Sequence, residues 1–217
     1  MYATFKRLFD LSAALMGLAG LSPLLAAIAV AIKLDSRGPI LYLGERTGFR
    51  GKKLRICKFR TMCVGAERQG TTTADQDPRI TRVGRFLRKY KLDELPQLIN
   101  VMKGEMSLVG PRPEVEEHTR EYNDEEKLIL TVLPGITDYS SIRFVNLGKV
   151  LGSENAHQVF LARYRAEKNQ LRLKYVRNRS FREDLRILFL TFVTLLRVAL
   201  GRAGGNDWST QDSDGRT

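Results

Sequence analysis

Cysteine and histidine are nearly missing from this chain. In 217 residues there are two of each, Cys57, Cys63, His118 and His157. Two thiols so placed draw neither a CxxC pair nor a disulfide framework, and the chain reads as a protein of a reducing compartment. So few nitrogen and sulfur ligands leave no basis for a structural zinc site or a histidine-based triad. Any metal should then be a hard cation on carboxylate and phosphate oxygens. Acid is scarce as well: 24 Asp and Glu stand against 36 Lys and Arg, a net charge of +12. That excess calls for an anionic partner: nucleic acid, a phosphate-bearing substrate or an anionic membrane surface, among which charge alone does not choose. No recognised nucleic-acid motif and no internal repeat is found. Disorder is excluded by a hydrophobic content of 43%, and the length suits one domain with an ordinary core.

What is present first is a long uncharged run. Leu11 to Ile32 is rich in Leu, Ala and Ile, about the length of roughly 20 residues that crosses a bilayer. A secretory signal fits poorly, because no small-residue cleavage site follows. Ser22-Pro23 falls at its middle, where proline removes a donor and predicts a kink or break. Each half then reaches about half of the roughly 30 Å bilayer core. Lys6 and Arg7 flank one end, Lys33 and Arg37 the other, which suits two ends returning to one cytoplasmic face. A re-entrant hairpin and a kinked span stand level on the residues alone.

Beyond Gly38-Pro39, Ile40 to Met62 reads as two short strands around a turn at Arg50-Gly51-Lys52. Arg46 to Arg60 holds seven basic residues and no acid, and a second basic cluster runs from Arg79 to Lys91. Within it Val83, Phe86, Leu87 and Tyr90 have amphipathic helical spacing. A further helix is predicted to start at Asp93, with Asp93 as N-cap and Pro96 in the first turn. Its buried stripe should be Leu95, Leu98, Ile99 and Met102, and Lys103-Gly104 its stop. Gly110-Pro111-Arg112-Pro113 and Pro134-Gly135 read as rigid turns. From Arg163 to Arg202 there are eleven Lys and Arg against three acids. Ser180 and Glu183 form a capping box opening a helix. Its apolar part, Ile187 to Leu196, is too short to span and suits docking on the core or lying in the interface. The tail after Gly204 is polar.

Asp93-Glu94 is the chemical candidate. A helix start attracts anions, and arginines at 88 and 112 could grip phosphate oxygens in bidentate fashion. A divalent ion bridging carboxylate and pyrophosphate would complete a phosphoryl-transfer site. On the dipeptide alone, a plain N-cap with a first-turn charge is the stronger reading.

A run of ordered motifs reverses that balance. Lys6-Arg7-Leu8-Phe9-Asp10, Ser22-Pro23, Ser36-Arg37-Gly38-Pro39 and Lys58-Phe59-Arg60-Thr61-Met62 come first. Asp77 to Gly84, Leu92-Asp93-Glu94-Leu95-Pro96-Gln97, Asn100 to Pro113 and Pro134-Gly135-Ile136-Thr137 follow. Over roughly residues 4 to 200 the chain resembles the bacterial sugar transferase family, the monotopic phosphoglycosyl transferases. The resemblance implies a mainly α fold with a small β-hairpin: a re-entrant helix-break-helix over residues 1–35, a cytosolic catalytic domain over 36–202 with an interfacial C-terminal helix, and a polar tail over 203–217. It implies transfer of a sugar-1-phosphate from a UDP-sugar to undecaprenyl phosphate, with Asp93 as nucleophile and magnesium ligand and Glu94 as its partner. Mg²⁺ is the expected cofactor. Arg88 and Arg112, with Lys58 and Arg60 as weaker candidates, should bind phosphate; Lys6, Arg7, Ser22 and Pro23 should serve the membrane or polyprenyl chain. The location implied is the cytoplasmic face of a bacterial inner membrane, with lipids but no nucleic acid as partners, and with the oligomeric state open, a homodimer included.

The resemblance departs in one stretch. Many family members continue after Thr137 with a Gly-Trp-Ala-Gln-Val-Asn-Gly-Arg type sequence, where this chain reads Asp138-Tyr139-Ser140-Ser141-Ile142-Arg143-Phe144. Arg177 likewise stands where many relatives have an acid. A nucleic-acid binder would not explain the uncharged segment, nor a membrane scaffold the ordered motifs. A spanning-bundle transferase would need more than one long apolar run.

Overall fold

The computed structural model describes residues 2–66, 77–147 and 156–201; the predicted tail lies outside them. The first element is a single long helix, α1 (Tyr2–Asp35), with Pro23 inside it. Helical structure runs through the proline, and the local chemistry gives a reason. Proline at 23 removes the N–H that would reach the Ala19 carbonyl. The Ser22 hydroxyl donates to that carbonyl instead, at 2.8 Å, so the turn keeps its acceptor satisfied.

The predicted strand pair is present as β1 (Leu41–Thr47) and β2 (Lys53–Phe59), antiparallel, with Leu41 opposite Phe59 and Thr47 opposite Lys53. Arg50 (φ 56°) and Gly51 (φ 74°) take left-handed conformations between them, and glycine is the residue to which this comes free. α2 (Arg82–Lys89) and α3 (Gln97–Lys103) follow. A second, unpredicted sheet joins β3 (Ser107–Val109) and β4 (Gly135–Thr137) in parallel. It rests on a close backbone crossing: a Cβ on Gly135 would lie 2.1 Å from the Gly110 nitrogen. The motifs read as turns at 110–113 and 134–135 therefore meet in space.

The rest is helical. A short α4 (Glu116–Thr119) and a 3₁₀ segment (Glu126–Thr131) come before β4, and α5 (Tyr139–Arg143) after it. Ala156–Val159 and a π turn at Phe160–Tyr164 lead into α6 (Arg165–Asn178), followed by α7 (Phe181–Ala199). Ser180 caps α7 as expected, accepting from the Glu183 N–H at 3.2 Å. The Glu183 carboxylate, however, accepts from Tyr139. α7 buries Asp184, Ile187 and Thr194 and exposes Leu185, Phe189, Phe192 and Leu196.

Both ends of α1 are fastened to the same body. Near its start Tyr2 and Lys6 donate to Asp184 of α7, and Arg7 donates to the Val101 and Met102 carbonyls that end α3. Asp10, 2% exposed, accepts from the Ser107 hydroxyl and the Leu108 N–H of β3. At the far end Asp35 accepts from the Val83 N–H in the first turn of α2. Ala14 packs with Leu54, Ile56, Val101 and Met106, and Ile28 and Ile32 with Phe59 and Leu87. Burying side chains of this kind contributes about 1.5–3 kcal/mol each. Leu15, Met16, Leu24 and Val30 stay exposed, and nothing lies within 4 Å of a Cβ built on Gly20.

α2 and α3 depart from the expected faces. Of the α2 stripe Leu87 is buried, while Phe86 is exposed and packs its ring on Tyr90. In α3 the buried face is Gln97, Asn100 and Val101 rather than Leu95, Leu98, Ile99 and Met102. Asn100 decides this. Its carbonyl oxygen accepts from the Cys57 N–H at 2.8 Å, and its amide donates to the Arg55 carbonyl and to Glu105. A buried amide so fully bonded fixes β2 against α3. Gly104 ends the helix at φ 79°, as the sequence indicates.

Candidate active site

Asp93 is not an N-cap. It sits in a 3₁₀ turn (Leu92–Glu94) between α2 and α3, and α3 begins only after Pro96. The turn is entered through Lys91, whose backbone is left-handed at φ 58°, ψ 21°. A lysine in that conformation holds local strain of the sort that clusters at functional sites.

The turn presents two neighbouring carboxylates to unlike surroundings. Asp93 is 8% exposed, and its Oδ1 has no hydrogen-bond partner. Burial, and then the neighbouring Glu94 charge, push its carboxyl above the usual range. Glu94 is gripped from two sides, by Lys58 Nζ of β2 at 3.1 Å and by the Arg112 guanidinium. Burial alone would raise its pKa; Arg112 and Lys58 outweigh that and hold it far below the usual carboxylate range. Lys58 is in turn lowered by burial, against the pull of Glu94. Two adjacent carboxyls pushed apart in this way take different roles.

Asp93 opens on a cavity of about 420 Å³, within the roughly 300–1,000 Å³ of small-ligand sites. Lys58, Arg60, Arg88 and Arg46 line it. The structure thus brings together Asp93, Glu94, Lys58 and Arg88, with Arg112 behind Glu94. Arg88 Nε donates to the Thr61 hydroxyl at 2.8 Å. Arg60 is in the wall, but its guanidinium donates to the Ser36 and Arg37 carbonyls and the Ser36 hydroxyl. Its geometry is that of a clamp on the Ser36-Arg37-Gly38 turn. Lys6 and Arg7 are engaged with Asp184 and the end of α3, while Ser22 and Pro23 lie on the exposed middle of α1; none of the four lines this cavity.

Among the described residues, no three His, Cys, Asp or Glu side chains cluster as a metal cage. The unpartnered Asp93 oxygen is one free donor. That fits a magnesium-like ion, which takes one or two carboxylates and fills its shell with water and substrate phosphate.

Behind the cavity is a charged network that sequence reasoning missed. Asp138, fully buried, caps α5: its carboxylate accepts from the Ser140 and Ser141 hydroxyls and the Ser141 N–H. It also accepts from the Arg112 backbone N–H at 3.2 Å. Arg172, 1% exposed, lies 3.9 Å from Asp138 and pairs with Glu114. Glu114 also meets His118 and Lys168. The Asp-x-Ser-Ser pattern was a legible capping signal for Asp138. Nothing in the sequence pointed to Lys91 or to the Arg172–Glu114 pair. Arg177 pairs with Glu125 on the surface, away from both carboxylates.

The bacterial sugar transferase family model matches residues 1–198. The chain belongs to that family. Two bacterial sugar transferases are similar over most of this chain. The UDP-N-acetylgalactosamine-undecaprenyl-phosphate N-acetylgalactosaminephosphotransferase of Aeromonas hydrophila is 38% identical over 206 residues, 90% of this chain and 44% of that protein. The undecaprenyl-phosphate glucose phosphotransferase of Komagataeibacter xylinus is 41% identical over 198 residues, 86% of this chain and 35% of that protein. This chain therefore spans less than half the length of either. An uncharacterized sugar transferase of Bacillus subtilis is matched nearly end to end, 37% identical over 186 residues, 86% of this chain and 84% of that protein.

Proposed function

We propose that this chain transfers a sugar-1-phosphate from a UDP-sugar to undecaprenyl phosphate. The observation that carries the reading is a buried carboxylate oxygen of Asp93 with no partner, facing a cation-lined cavity beside a Glu94 already neutralised by Lys58 and Arg112. The relatives' names supply the substrate classes.

In the first step an Asp93 oxygen attacks the sugar-bearing phosphorus. The bond from that phosphorus to the bridging oxygen breaks, and UMP leaves with the electron pair. In the second step an oxygen of undecaprenyl phosphate attacks the same phosphorus, the bond to Asp93 breaks and the carboxylate is restored. One carboxylate thus serves both substrates in turn. Glu94 keeps Arg112 and Lys58 in place, and Arg88, Lys58 and Arg46 offset phosphate charge from the cavity wall. Asp93 is the residue that would hold Mg²⁺, which supplies charge neutralisation on the phosphate oxygens when bound.

For the membrane we propose a re-entrant α1 on the cytoplasmic face of a bacterial inner membrane. By length and composition α1 is the one described helix able to cross a bilayer. Its two ends bind one body, through Arg7 and Asp10 and through Asp35, while its middle is exposed. A span of roughly 30 Å would separate those ends. The exposed apolar face of α7 suits the same interface.

Two measurements test this. With Mg²⁺, undecaprenyl phosphate and a panel of UDP-sugars, nanodisc-held protein should release UMP. Asp93→Asn should lower turnover by roughly three orders of magnitude or more with membrane insertion intact; near-normal turnover would sink the assignment. Cysteine labels at Ala3 and Arg46 should both react only from the cytoplasmic side. Labelling from opposite sides would show a span.

A further inference from the structure

The proposed chemistry uses one cavity, and the structure has another. It measures about 340 Å³ and lies on the Arg112 side of Glu94, whereas the first lies on the Lys58 side. The two share only Glu94 and Lys91 in their walls.

Their linings differ in kind. The first is ringed by Arg46, Lys58, Arg60 and Arg88 and suits a polar, multiply charged ligand. The second is walled by Leu95 and Leu98 of α3, Ile136 of β4, Ile142 of α5, and Leu188 and Leu195 of α7. Its charged residues are Lys91, Glu94, Arg112 and Lys168, the last paired with Glu114, and hydroxyls of Thr137, Ser140, Ser141, Thr191 and Thr194 belong to the same wall. A mainly apolar cavity whose wall also carries cations matches a lipid that bears one phosphate head. The cavity borders the exposed apolar face of α7 and is backed by α1. Leu98 lies 3.2 Å from a Cβ built on Gly17 of α1, and Leu195 belongs to the exposed apolar face of α7. A lipid at the α7 surface meets the cavity wall at Leu195.

Lys91 occupies the crossing point. Lys58 and Arg112 are paired with Glu94, and Arg60 holds the Ser36–Gly38 turn. Lys91 makes no side-chain hydrogen bond or ion pair among the described residues, yet it faces both cavities. Its left-handed backbone sets it there, two residues before Asp93.

We propose that the second cavity takes the phosphate-proximal end of the polyprenyl phosphate acceptor, and that Lys91 holds the acceptor's phosphate on its way to Asp93. This rests on the transfer reaction proposed above. The volume is too small for a whole polyprenyl chain, so the distal part stays in the bilayer. Nucleotide and lipid then occupy different rooms, and only the phosphates meet at Asp93.

Thiol labelling of the full chain in nanodiscs reads each cavity separately. Cys63 is exposed and lines the first cavity, and Cys57 is buried. Leu195→Cys adds a thiol to the second. A short-chain polyprenyl phosphate should slow labelling at Leu195→Cys about tenfold and leave Cys63 alone, while UDP should do the reverse. Protection of Cys63 by both ligands, or of Leu195→Cys by UDP alone, would overturn the proposal. In kinetics, Lys91→Ala should raise the acceptor KM about tenfold, the loss of one charged hydrogen bond. Lys91→Arg should restore it, and the acceptor KM should rise by a clearly larger factor than the donor KM. An unchanged acceptor KM, or an equal rise in both KM values, would also overturn it. Failure of every UDP-sugar to release UMP from the wild type would instead remove the reaction itself, and the labelling pattern would still judge the cavity.

Discussion

The front and the back of Arg112 are built on opposite rules. Behind it, Asp138, Arg172 and Glu114 form a network in which each charge is partnered, with the Asp138 and Arg172 side chains at 0% and 1% exposure. In front, Asp93 has an oxygen with no hydrogen-bond partner and lines the first cavity, and Lys91, without a side-chain hydrogen bond or ion pair among the described residues, lines both. Buried charge is tolerated only when it is paired. The rear network meets that condition from within the protein. The front leaves it to be met by a ligand. Rigidity behind and incompleteness ahead are how a fold presents charge to phosphate without collapsing onto it.

The comparison is broken most severely at Arg172. Arg172→Met leaves buried Asp138 without its cation and Glu114 with only Lys168 and His118, and should reduce stability by about 3 kcal/mol. Thermal unfolding in detergent measures this, and a loss below about 1 kcal/mol would mean that the network is not structural. The next effect is on acid tolerance. Glu114 is held well below its ordinary range: burial alone would raise it, but Arg172 and then the His118 hydrogen bond outweigh that. A carboxyl depressed on folding contributes stability that is full above its unfolded value, near 4.5, and that is lost as pH falls through the folded value. Unfolding midpoints should therefore fall more steeply below that pH in the wild type than in Glu114→Gln. Parallel curves would show that Glu114 carries no such linkage.

Much of this was legible from the chain. The β1–β2 pair, the Gly104 stop and the Ser180 cap rest on turn chemistry and capping, all local signals, and the ordered motifs hold Asp93, Glu94, Lys58 and Arg88, which the fold gathers at one cavity. The misreadings have a common cause. In α3 the apolar spacing of Leu95, Leu98 and Met102 looked like a core stripe, but the helix turns Asn100 inward because β2 needs its amide. The leucines are left to α1 and the second cavity. Apolar periodicity finds a greasy face without saying whether protein or lipid covers it. Arg172 and Glu114 are 58 residues apart, and no local pattern records that pairing. The effect of Pro23 on α1 depends on a single hydroxyl one residue earlier.

Lys91 also bears on how this protein can be improved. At φ 58° a glycine is more comfortable than any side chain, so Lys91→Gly should relieve strain of roughly 1 kcal/mol. The same change removes the ammonium shared by both cavities. A screen that rewards heat resistance alone should therefore collect glycine at position 91 and return a sturdier, slower protein. A screen that rewards turnover should keep the lysine. Thermostability engineering of this scaffold has to leave that position alone.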